Sequence, residues 1–200
     1  GFLPLYLKLL SAIDVREVLA QRILWAAPSA FIAVFLMSGW RPGWREIATA
    51  LTPRMLATLA ASACFIFVNW GMYVYLVLNE RVIESALAYF LAPLVSVAIG
   101  VLFFKEAITT PRVIALGLAL VGVVVQGFAL GAPPWMALGL CATWSVYAVI
   151  RKRAPVPAAV GLLIESLALA PVAAGLLFWA ASEAPLGFTT DWTKIGRAHV

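Results

Sequence analysis

The sequence predicts an all-α fold: a polytopic bundle of transmembrane helices. Of its 200 residues, 64% are hydrophobic, and the mean hydropathy is +1.01. Soluble domains run at roughly 45–50% apolar. A water-facing surface cannot be built from what is left, so lipid must be the solvent for most of the chain. Charged residues make up only 12%, about half the usual share. The apolar residues also come in runs close to the ~20 that a helix needs to cross hydrocarbon. A β-barrel would need short alternating strands instead, and helices satisfy every backbone hydrogen bond within the span.

The expected spans are 21–38, 54–78, 82–104, 112–130, 135–150 and 158–181, with residues 2–10 as the end of a helix whose beginning is missing. The stretch 82–130 is broken at Lys105, Glu106, Thr109, Thr110 and Pro111, a polar turn with proline at the next helix start. Segment 191–200 has no apolar period. Its run from Lys194 to Val200 is what AAG ATC GGA AGA GCA CAC GTC would encode, which resembles a sequencing adapter. This segment is expected to be an artefactual or disordered tail, an ordinary polar tail being the alternative, and His199 is given no chemical role.

The formal charge of +5 is spread between the apolar runs and not gathered in one patch, so no nucleic-acid partner is expected. Alternate loops differ in cations. Arg41, Arg45, Arg54, Lys105, Arg112, Arg151, Lys152 and Arg153 stand on one side, against Lys8, Arg16, Arg22 and Arg81 on the other. The first set is expected to be cytoplasmic, which puts the missing amino terminus inside. Cys64 and Cys141 each lie in an apolar run and read as small packing residues.

Residues 1–35 can be laid on 145–178 with one gap. Lys8 then meets Lys152, Leu24 meets Leu167, Pro28 meets Pro171, Phe35 meets Phe178, and Arg22 meets Glu165. A second repeat would begin near Pro133 after five spans. An odd number per repeat turns the halves opposite ways, giving an inverted five-plus-five architecture. The division expected is 1–130 as the first repeat, its first helix clipped, and 133–190 as two helices of the second.

Glu165 is the most informative residue. It lies about two turns into its span, roughly 10 Å from the start at 1.5 Å per residue. A charge at midmembrane costs about 2.5–3.5 kcal/mol on insertion scales, so it is expected to face a polar cavity as a substrate contact or proton-coupling carboxylate. The structural reading is a carboxylate paired with a cation. Arg22 opens its span, where it either snorkels to the interface or joins the pathway. Asn69 and Trp70 lie inside the third span, suiting an interhelical hydrogen bond and packing or substrate contact. Glu84 and Tyr89 fall in the first turns of the fourth span. Trp144 and Tyr147 either pack or line a cavity. Pro28, Pro93 and Pro171 fall within spans, where each removes a backbone donor. Gly127 and Gly131 fit a close-packing motif.

The sequence holds no H-E-x-x-H, G-x-S-x-G or phosphate-binding Gly-Lys loop and no metal constellation. No catalytic residue, metal or cofactor is expected.

Taken in order, Arg22-Ile-Leu-Trp25, Asn69-Trp70, Glu84 to Pro93, Lys105-Glu106, Ile150-Arg-Lys152 and Gly161 to Ser166 resemble the RarD proteins, of the EamA group of the drug/metabolite transporter superfamily. The resemblance runs from Gly1 to about Trp179. It implies ten helices in two five-helix repeats, so that the first helix is clipped here and the last three are absent. Where that family often has His before the Arg of its second helix, this chain has Gln21. Its members are known mainly as permeases, some named for chloramphenicol sensitivity. The expected function is thus secondary transport of a small metabolite or drug across the bacterial inner membrane by alternating access, with Arg22, Asn69, Trp70, Tyr89 and Glu165 at the substrate site and Glu165 as the coupling residue. The alternatives are a membrane-embedded lipid-modifying enzyme and a non-transporting scaffold. The partners expected are the lipid bilayer and an unnamed small molecule, with a homodimer left open.

Overall fold

The computed structural model describes residues 13–104, 109–129 and 135–183. The readings made on 2–10, on Lys105 and Glu106, on Gly131 and on the tail 191–200 lie outside the described residues. Every regular element among those described is an α-helix.

Helix α1 runs Val15–Ser38, starting where the Asp14 carboxylate accepts the Arg16 amide at 2.7 Å. An oxygen at this N-cap satisfies a donor the helix leaves orphaned. The cap brings the start forward of the expected 21, which corrects one reading: Arg22 stands in the second turn of α1, not at its opening. Pro28 lies inside the continuous helix.

Residues expected to form a loop instead form α2, Trp40–Ala50. Gly39 makes the junction at φ 81, a left-handed conformation that favours glycine. Its N–H closes α1 onto the Phe35 carbonyl at 3.0 Å. By 3.6-residue periodicity, Trp40, Trp44 and Ile47 share one face of α2, and Arg41, Arg45 and Thr49 another. The rings of Phe31, Phe35, Trp40 and Trp44 gather over this turn with centroids 4.7–6.1 Å apart. A Cβ at Gly43 would come within 3.0 Å of the Phe35 ring, so glycine permits the close approach of α2 to α1.

Helix α3, Pro53–Leu78, opens with Pro53 in its first turn, where the missing N–H is not needed, and Thr52 caps it. Helices α4, Val82–Phe104, α5, Thr110–Ala129, α6, Trp135–Lys152, and α7, Ala158–Glu183, fall where the apolar runs predicted them. By length and composition, α1, α3 and α7 are long and apolar enough to cross a membrane.

Helix α1 packs most extensively on α7, and α6 on α3 and α4. Arg16 at the start of α1 reaches Glu183 at the end of α7 at 2.6 Å, while Val34 near the end of α1 packs in one cluster with Val160 and Ile164 near the start of α7. The two helices are therefore antiparallel. A second cluster joins Val18 and Leu19 of α1 to Tyr73, Val74 and Val77 of α3, Leu87 and Leu91 of α4, and Leu140 of α6. Large apolar side chains cover the outside: Phe128 is 84% exposed, and Leu36 and Phe178 are each 80% exposed. Isolated exposed apolar residues are ordinary on soluble proteins, but a continuous coat of them is a lipid-facing surface.

Candidate functional site

Three helices meet at the Glu165 carboxylate. Its side chain is only 4% exposed. From α3, the Ser62 hydroxyl donates to Oε1 at 2.6 Å. From α6, the Tyr147 hydroxyl stands 3.5 Å from Oε2, and Arg151 Nε lies 3.5 Å from Oε1. A buried ionised group is tolerated when it is paired and hydrogen-bonded, and both conditions are met here by partners far away in sequence.

Arg151 belongs to the last turn of α6, where the helix dipole favours a cation. It was grouped with the loop cations in the sequence; the fold instead turns its guanidinium inward beneath Gly161. A Cβ at Gly161 would collide with that guanidinium. Glycine here is therefore what makes room for the ion pair. Arg151 Nη1 is buried and has no hydrogen-bond partner among the described residues.

Glu165 and Arg22 line the same cavity, of about 260 Å³, together with Trp70, Tyr147 and apolar side chains of α1, α3 and α7. The Arg22 guanidinium carbon sits 2.9 Å from the Trp70 ring centroid, a cation–π contact. A second cavity, of about 220 Å³, lies between α3, α4 and α6, bounded by Asn69, Tyr73, Cys141 and Trp144. Trp70 is a wall of both.

The fold thus brings Arg22, Trp70 and Glu165 to one cavity. Asn69 borders the other, and its amide nitrogen is spent on α6, donating to the Leu140 carbonyl at 2.7 Å and to Thr143 Oγ1 at 2.9 Å. The Tyr89 side chain lies outside the described residues; its backbone places it in α4. Tyr147 and Trp144 line cavities as one of the two readings held. Glu84 pairs with Arg81 at 2.6 Å in the first turn of α4. Ser62 and Arg151 were not singled out beforehand. The signal for Arg151 was present: it lies four residues after Tyr147, on the same helix face, just as Glu165 lies four after Gly161.

The family model that matches this sequence, over residues 1–127, is that of the EamA-like transporter family. The chain belongs to the EamA-like transporter family. It is 40% identical over 195 residues to an uncharacterized transporter of Pseudomonas aeruginosa, covering 96% of this chain and 63% of that protein. It is 33% identical to the uncharacterized transporter YojE of Bacillus subtilis, covering 96% of this chain and 65% of that protein. It is 38% identical to the protein RarD of Escherichia coli K12, covering 89% of this chain and 59% of that protein. The RarD resemblance is thereby shown, and with the apolar helices it makes this EamA chain a membrane protein. The chain spans about 60–65% of the length of these relatives. No solved structure matches it.

Proposed function

We propose that this EamA chain belongs to a secondary transporter of the bacterial inner membrane that moves a small metabolite or drug by alternating access. The observation that carries the reading is the Glu165 carboxylate, held by α3, α6 and α7 at the edge of a cavity that Arg22 also lines. Keeping such a group among membrane-spanning helices is costly, and intramembrane ionisable residues characteristically mark substrate and ion pathways. The names of the relatives, two of them transporters, point the same way.

In this reading the cargo sits between Arg22 and Glu165 against the indole of Trp70, with Tyr89 and Asn69 as further contacts. Glu165 exchanges a proton: ionised, it holds Arg151 and Tyr147 of α6; protonated, it gives up the ion pair and loosens α7 from α6. Two inverted repeats, 1–130 and the one beginning near 133, would rock around this point, with the more cationic loops cytoplasmic.

A scaffold role predicts Glu165 sealed among apolar neighbours, and the polar cluster beside an open volume favours transport. The test is a substrate screen in proteoliposomes under an imposed pH gradient, on the protein at the full length of its relatives. Glu165→Gln is expected to abolish the pH dependence of uptake. Uptake and pH profile both unchanged would end the proton-coupling reading.

A further inference from the structure

Helix α2 and the first turn of α3 carry charges that the described residues leave unanswered. Arg41, Arg45 and Arg54 are exposed, and no described residue forms an ion pair or hydrogen bond with their side chains. Between Ser38 and Leu59 the sequence holds these three cations and a single acid, Glu46. That acid is turned away, accepting the Ser38 hydroxyl at 2.8 Å. Arg41 and Arg54 also stand in the first turns of α2 and α3, neither of which holds an acidic residue. The helix dipole opposes a cation at that end, so each position is unfavourable unless an anion comes from outside.

The topology says where that anion would be. Helix α2 joins the end of α1 to the start of α3, both long enough to span hydrocarbon, so it lies at one membrane face. Its 11 residues reach about 16 Å at 1.5 Å per residue, too short to cross a core of ~30 Å. Ile47 and Ala50 pack in one cluster with Met55, Ala154 and Val156, which brings Arg54 and the exposed Arg153 to the same face. Trp40 and Trp44 are 66% and 46% exposed beside these arginines. Indoles at headgroup depth next to arginines, on a helix with one apolar and one cationic face, are the features of an interfacial helix on an anionic surface.

We infer that the face formed by α2 and the start of α3, Arg41, Arg45 and Arg54 beside Trp40 and Trp44, is a docking site for anionic phospholipid headgroups of the leaflet it adjoins. The arginines supply bidentate donors that match phosphate oxygens, and the indoles seat the glycerol and upper acyl region. This site is separate from the Glu165 cavity and does not depend on what the cavity carries.

The experiment is native mass spectrometry of the protein equilibrated with equimolar phosphatidylglycerol and phosphatidylcholine, counting each lipid retained. Wild type is expected to prefer phosphatidylglycerol by at least about fivefold, the factor that a single Lys or Arg contributes near an anionic surface. The variant R41Q/R45Q/R54Q is expected to fall to parity, while R41K/R45K/R54K and E165Q keep the preference. A glutamine variant that retains phosphatidylglycerol like wild type overturns the inference. So does displacement of the lipid by inorganic phosphate at equal concentration, which would make this a free-anion site.

Discussion

Replacing Arg151 with methionine tests whether the ion pair holds α6 to α7. The substitution leaves Glu165, 4% exposed, with only Ser62 at 2.6 Å and Tyr147 at 3.5 Å. Removing one partner of a buried pair costs about 3–5 kcal/mol because the other charge is stranded. Arg151 is itself only 16% exposed, so solvent screening reduces this little. The stranded carboxylate has one escape, to take a proton. For an ordinary glutamate that costs about 3.7 kcal/mol at pH 7 and about 1 kcal/mol at pH 5, at 1.36 kcal/mol per pH unit. The loss in R151M is therefore capped near 3.7 kcal/mol at neutral pH and shrinks to about 1 kcal/mol at pH 5, by the same arithmetic. The variant R151M/E165Q, with both charges gone, is expected to recover to within about 1.5 kcal/mol of wild type, since apolar replacement of both partners is often neutral. Unfolding of the purified protein by sodium dodecyl sulfate in mixed micelles, at both pH values, measures all of this. A deficit in R151M that is equal at pH 5 and pH 7, or a double variant no more stable than R151M, would refute the reasoning.

Gly161→Ala is expected to cost about 1–3 kcal/mol as an overpacking change, since the new methyl collides with the Arg151 guanidinium; the same unfolding assay should show most of that cost vanish in R151M. Asn69→Leu removes two bonds from α3 to α6 and is expected to cost about 1–2 kcal/mol at ~0.6 kcal/mol or more for each interhelical bond, and an unchanged midpoint would show the amide to be idle. Asp14→Ala should lose about 0.5–2 kcal/mol of cap energy, read from the unfolding midpoint at pH 7. The Arg16 side chain bonded to Asp14 holds its carboxyl below the usual range, so the stability it contributes is present above pH ~4, the ordinary Asp value, and is lost as the pH falls below that. Wild type and D14A should therefore converge in strong acid; a gap that widens there would contradict the assignment.

The long helices were legible because hydrocarbon imposes a length on them. The run 82–104 became α4 with the predicted bounds, and the apolar stretch after Thr52-Pro53 became α3. Helix α2 was not legible by that rule. It is short, carries Pro42 and Gly43, and reveals itself only as a 3.6-residue alternation of tryptophan and arginine. The start of α1 was misplaced because Asp14 and Arg16 read as loop charges, whereas one of them is the cap. Within the site, Glu165 and Arg22 stood out through the cost of a charge in an apolar run. Arg151 was hidden by its neighbours: beside Lys152 and Arg153 it looked like one more loop cation. Only the reach of its guanidinium past Gly161 to Glu165 of α7 distinguishes it.

The indole of Trp70 has a consequence for how the interior is connected. One side chain borders both chambers, of about 220 and 260 Å³, and the Arg22 guanidinium carbon stands over its ring. A turn of this one ring would therefore reshape both chambers at once, a change on the scale of side-chain torsions and not of helix motion.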